Sequence, residues 1–172
     1  MVVGSYGLFI LAGALGHLYL LLTLLGTKKL SSLGLYIKQA LYAGIALLIP
    51  GTLLGGVWAA QSWGRFWAWD PKESWAFISA CIYLLWIHAF TYRKIADFGL
   101  AVGSIVGLLA ISFTWYGVNY ILGTGLHSYG FGQGGRGAYT AFVVIELVFL
   151  GLSFFIHTKN RKNVIPKKAP PE

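Results

Sequence analysis

Five apolar runs, each about 20 residues long, restrict what this chain can fold into more than any other feature. They cover roughly 4–25, 36–57, 74–92, 98–122 and 138–157. A helix needs about 20 apolar residues to cross about 30 Å of hydrocarbon. There each span must satisfy its own backbone hydrogen bonds, so the runs predict helices. Composition agrees: 57% of residues are hydrophobic and 10% are charged, where soluble domains carry about 25% charged residues. The predicted fold is an all-α integral membrane protein with five transmembrane helices. A membrane domain occupies 1–158, and 159–172 is expected to be a disordered basic tail.

The net charge of +8 does not point to nucleic acid, because the bases sit in short clusters between apolar runs. Ten of the 13 fall on one set of connections: Lys28, Lys29, Lys38, Arg93, Lys94, Lys159, Arg161, Lys162, Lys167 and Lys168. Arg65, Lys72 and Arg136 fall on the other. The bias predicts an N-terminus outside and a cytoplasmic C-terminus. Segment 58–75 and loop 123–137 then share the outer face. No basic stretch precedes the first run, so no cleavable signal peptide is expected. Cys81 is the single cysteine and lies in an apolar run. The chain therefore has no internal disulfide, and without a CxxCH it is not itself a c-type cytochrome.

The outer face carries Trp63-Gly64-Arg65-Phe66-Trp67-Ala68-Trp69-Asp70-Pro71-Lys72-Glu73-Ser74-Trp75, which holds four of the seven tryptophans. Tryptophan favours membrane interfaces and offers a wide flat face with one N–H. The segment suits either an anchoring belt or a platform for a flat, aromatic, partly anionic ligand. Trp63, Phe66, Trp67 and Trp75 are expected along one side of a helix lying in the interface. Asp70 is expected to cap the third span, with Pro71 in its first turn and Glu73 complementing its dipole.

Several polar residues stand out. His127 lies on the same outer face as the tryptophans. His88 lies deep in the third span, where an ionisable side chain needs a partner or a function. His17, in the first span, reads as a hydrogen-bonded structural residue, and His157 as an interfacial one. Glu146, midway along the fifth span, is expected to be protonated or paired with a His or Arg of another helix. Asn119 is expected to bond between helices. Gly99, Gly103 and Gly107, four apart, predict close helix packing. Neutral imidazole is the usual axial ligand of haem iron. Haem at an outer and an intramembrane position would account for His127 and His88, with Arg65 and Arg136 suited to propionates. Two alternatives remain open: a b-type haem electron-transfer subunit of a respiratory complex, with His17 and His88 as a ligand pair, and a structural membrane subunit without haem.

The run Trp63-Gly64 to Trp67, Trp69-Asp70-Pro71-Lys72-Glu73 resembles the tryptophan-rich WWD signature of haem-handling membrane proteins. With His88, Gly117-Val118-Asn119 and Gly125-Leu126-His127-Ser128-Tyr129, it is similar to the CcsA/ResC-type cytochrome c assembly proteins of System II. That resemblance implies a chain that presents haem b outside the membrane for covalent attachment to the CxxCH of apocytochrome c. It implies haem binding by Trp63, Arg65, Trp67, Trp69, Asp70 and Trp75, with His88 and His127 as axial ligands of the iron. No catalytic acid or base is implied. The chain would be part of a cytochrome c haem lyase complex with a CcsB/ResB-like membrane partner, in the bacterial inner membrane or the thylakoid membrane. The family's first outer histidine lies before the helix that matches the first span here. The chain is therefore expected to be a short or split member, with a separate chain supplying the N-terminal helices and that histidine.

Overall fold

The computed structural model describes residues 1–27, 30–127 and 135–164, with side chains up to residue 160. All regular structure among the described residues is helical. Helix α1 covers Val2–Leu24, α2 Ser31–Trp63, α3 Pro71–Thr91 and α4 Asp97–Ser112. A π-helical segment, Phe113–Leu122, continues α4, and α5 covers Arg136–Val164. Five helices, counting α4 and its π-helical continuation as one, are long and apolar enough to cross a membrane. The chain is an integral membrane protein.

Helix α2 is longer than the apolar run predicts. Its 33 residues extend about 50 Å, beyond the hydrocarbon thickness, and they take in Trp58 and Trp63. The expected interfacial helix over the tryptophans is not formed. Gly64, with φ 71°, ends α2 in a left-handed cap. Residues 64–70 then run without helix to Asp70. Two local forces prevent one. Pro71 disfavours helical backbone at Asp70, and the Glu73 carboxylate accepts from Ala68 N–H at 2.8 Å and Asp70 N–H at 3.3 Å. At the other end of the chain, α5 carries helix to Val164, so the first part of the expected tail is helical. Residues 165–172 lie outside the described residues.

The core lies among α1, α2, α3 and α4. Phe9 and Tyr83 stack at 3.8 Å between ring centroids, nearly parallel, and both are fully buried. Ile37, Leu41, Leu48, Leu100 and Ile105 complete the centre. The expected glycine stripe works at two of its three positions. A Cβ on Gly103 would strike the Trp86 ring and one on Gly107 the Tyr83 ring, whereas Gly99 meets only Ile95 in the preceding turn. Gly107→Leu is expected to destabilise the bundle by about 1–3 kcal/mol, seen as a lower unfolding midpoint in detergent. Gly151→Ala, in open space on α5, should leave the midpoint unchanged or raise it. Equal effects would remove the packing role.

Helix α5 stands at the periphery, with Val144, Ile145, Leu147, Val148, Leu152, Phe154 and Phe155 exposed. A polar clamp holds it. Glu146 Oε2 lies 2.8 Å from His17 Nε2, and His17 Nδ1 donates to the Gly13 carbonyl at 2.7 Å. This is the histidine partner expected for Glu146. His157 stacks on Phe98 at 3.8 Å.

Candidate functional site

The start of α3 supplies the scaffold. Asp70 Oδ1 accepts from Glu73 N–H at 2.8 Å, and Glu73 reaches back to the N-cap backbone. This capping box satisfies helix-terminal donors that would otherwise be unpaired. Asp70 is 8% exposed, and its second oxygen serves a residue 57 positions away. Oδ2 accepts from His127 Nδ1 at 2.6 Å and from His127 N–H at 3.3 Å. Burial alone would raise the pKa of the Asp70 carboxyl. The Glu73 N–H and the His127 donors outweigh burial and hold it below the ordinary carboxylate value.

Other contacts tighten the junction. Lys72 Nζ donates to Asn119 Oδ1 at 2.9 Å and to the His127 carbonyl at 3.3 Å. Asn119, buried in the π-helical segment, is thus the interhelical bonder expected of it. Trp63 meets the His127 ring edge-on at 4.9 Å, and Trp58 meets Trp63 at 5.2 Å. A carboxylate can only accept, so His127 Nδ1 carries hydrogen, and in the neutral ring Nε2 keeps its lone pair. Such a carboxylate–histidine pair orients many metal-binding imidazoles.

Two hollows adjoin this junction. One, of about 300 Å³, is lined by Tyr6, Trp58, Trp67, Lys72, Glu73 and His127 among others. The second, of about 400 Å³, lies between α2 and α3 and is almost wholly apolar, with Trp67, Trp69, Phe77, Cys81 and Leu84 on its walls. Both fall within the range of about 300–1,000 Å³ usual for ligand pockets. Trp67 borders both, and its buried indole N–H has no partner among the described residues. It can donate to an acceptor on a bound ligand. Trp69, 67% exposed and with φ 57°, sets its ring edge-on to Trp67 and Phe77.

Not every residue expected at the site gathers there. Trp75 tilts against Phe113 at 4.3 Å inside the bundle and borders neither hollow. Arg65 is exposed in the 64–70 loop and also borders neither. Arg136 donates to the Tyr120 and Ile121 carbonyls at 3.2 and 3.3 Å, closing the end of the π-helical segment. Trp58 and the anchoring role of Lys72 are additions. Their sequence signals were a tryptophan five residues before Trp63 and a lysine inside the Asp-Pro-Lys-Glu run. Asp70, Glu73 and His127 are close enough to hold a metal ion, but their mutual bonds and the capped backbone already account for that cluster. Ser128 and Tyr129 lie outside the described residues.

His88 belongs elsewhere. It sits in the last turn of α3, about 25 Å along the helix from Pro71, and so at the far edge of the bundle from the Trp63–Trp69 segment. Its Nδ1 donates to the Leu84 carbonyl at 2.6 Å, which again leaves Nε2 as the basic nitrogen. His17 has both ring nitrogens engaged, so it offers no second ligand to pair with His88.

The comparisons with known proteins converge. A family model described as cytochrome c assembly protein matches residues 1–127. Protein NrfI of Wolinella succinogenes is 39% identical over 141 residues, which is 77% of this chain and 16% of that protein. Cytochrome c biogenesis protein CcsA of Capsella bursa-pastoris is 46% identical over 87 residues, 51% of this chain and 26% of that protein. The CcsA of Manihot esculenta is also 46% identical over 87 residues, 51% of this chain and 27% of that protein. The matched regions thus span about a quarter or less of the length of these relatives.

Proposed function

Because this chain belongs to the cytochrome c assembly protein family, we propose that it handles haem b as cargo in c-type cytochrome maturation, presenting it at the outer membrane face. The observation that carries this reading is the 2.6 Å bond between Asp70 and His127 beside Trp63. It fixes an imidazole with Nε2 available for iron, next to a tryptophan-walled hollow. The unpartnered Trp67 N–H suits a propionate, and Trp58, Trp67 and Trp69 suit the faces of a flat ring. His88, oriented by the Leu84 carbonyl, is the proposed ligand at a second position near the opposite membrane edge.

When bound, haem supplies the vinyl groups that the thiols of an apocytochrome CxxCH attack. This chain's residues orient the iron and exclude water. None is assigned as a general acid or base, so the chain is read as part of a haem lyase complex. The proposed partners are a CcsB/ResB-like membrane protein and apocytochrome c. The charge bias supports an outward-facing tryptophan end and a cytoplasmic C-terminal end. The proposed location is the bacterial inner membrane, with the thylakoid membrane second. The b-type electron-carrier alternative is less supported, because His17 is already bonded through both nitrogens.

The test is co-expression with the partner and a reporter apocytochrome. His127→Ala is expected to lower covalent haem attachment about tenfold or more, measured by haem stain of the reporter. Attachment at the wild-type level would sink the reading.

A further inference from the structure

The end of the bundle opposite the tryptophans holds a third hollow, of about 710 Å³, between α2 and the end of α3. Lys38, Arg93 and Lys94 border it, and no Asp or Glu does. The nearest acid in sequence, Asp97, borders a different hollow with Tyr19 and His157. Among the described residues, none of the three cations forms an ion pair. The wall is firm. Tyr42 Oη and Thr91 Oγ1 bond across the two helices at 2.7 Å, and Lys38 Nζ lies 5.6 Å from the Tyr42 ring centroid. The turn bearing Arg93 and Lys94 is tied down by Arg93 N–H to the Phe90 carbonyl at 3.0 Å and Lys94 N–H to the Ala89 carbonyl at 2.8 Å.

Helix register joins this hollow to the apolar one. On α3, positions 77, 81, 84, 88 and 91 alternate four- and three-residue steps and so form one stripe. Phe77, Cys81 and Leu84 border the apolar hollow, and Thr91 borders the cationic one. The matching stripe on α2 is 38, 42, 45, 49 and 52. Lys38 and Tyr42 lie at the cationic hollow, with Ile49 and Thr52 at the apolar one. His88 and Ile45 hold the register positions between them.

We propose that the Lys38–Arg93–Lys94 hollow docks the carboxylates of the cargo at the C-terminal-tail side, so that its apolar body meets the α2–α3 groove at His88. This rests on the haem reading above and adds an anion site to it. A phospholipid shares the anionic headgroup chemistry and its acyl chains also suit an apolar groove, but it gives no reason for an imidazole in the same register.

The test compares haem with its dimethyl ester, titrated into the full chain in phosphatidylcholine nanodiscs and read by the His88-dependent Soret shift. The wild type is expected to bind the free acid roughly tenfold more tightly than the ester, as pairing of its two carboxylates with three mostly exposed cations allows. The Lys38→Gln/Arg93→Gln/Lys94→Gln variant should lose that preference while binding the ester as before, which also shows that it folds. A variant that keeps the preference overturns the proposal. So does a wild type without the preference whose melting point rises with phosphatidylglycerol through the three cations, which would mark a lipid site. If the wild type gives no His88-dependent band, the second haem position fails, and the proposal with it, while the reading at His127 is judged by its own test.

Discussion

Replacing Asp70 with asparagine is expected to weaken the haem binding proposed at His127 by about 10–100-fold while leaving the fold almost intact. Asparagine is as good an N-cap as aspartate, so its carbonyl can keep the Glu73 N–H and α3 still starts in the same place. The amide then turns its NH₂ toward His127 Nδ1, where the carboxylate oxygen had been 2.6 Å away. An NH₂ group only donates, so the imidazole must accept at Nδ1 and carry its hydrogen at Nε2. The nitrogen proposed to bind iron then carries hydrogen. Asp70→Ala would remove the cap as well, costing about 1 kcal/mol of stability. The measurements are Soret titration and the unfolding midpoint of both variants in detergent. Asp70→Asn with wild-type haem affinity would show that the pair does not orient a ligand.

Breaking the His17–Glu146 clamp should loosen α5 more than any single apolar truncation on that helix. Most apolar side chains of α5 are exposed, whereas Glu146 is 9% exposed and bonds His17 at 2.8 Å. Glu146→Leu leaves a half-buried imidazole nitrogen unpartnered, and His17→Leu does the same to the more buried carboxyl. Each is expected to cost about 1–3 kcal/mol. The double variant should cost less than the two singles summed, because two apolar groups leave no polar atom stranded. Unfolding midpoints, with protease cutting of the α5 connection, report this. Strict additivity would mean that the contact contributes nothing to holding the helix.

Much of the fold follows from local chemistry. Each apolar run is its own evidence of a span, since its backbone must bond to itself in hydrocarbon. The capping box at Asp70 and Glu73 is equally local, because donor and acceptor are three residues apart. Gly103 and Gly107 follow from four-residue spacing on one face. The interfacial helix failed for a reason also present in the sequence: the Asp-Pro-Lys-Glu box claims the backbone donors just before it, and that claim outweighs aromatic periodicity.

The site divides in the same way. The proposal that tryptophans and histidines of this chain hold a flat iron-bearing ring comes from residue type and family resemblance. Which of them meet was not legible there. Trp58 and Trp75 are equally rich in aromatic surface, yet one borders a hollow and the other packs on Phe113, because the length of α2 and the rotation of α3 decide where each ring points. Asp70 and His127 are 57 residues apart, and His17 and Glu146 are 129 apart. No periodicity links such pairs. Composition and spacing determined five spans and a capped third helix, because those depend on neighbours within a turn. Only the packed bundle decided that Asp70 serves both its own helix and His127, because that bond exists only once the π-helical segment delivers a distant loop to the start of α3.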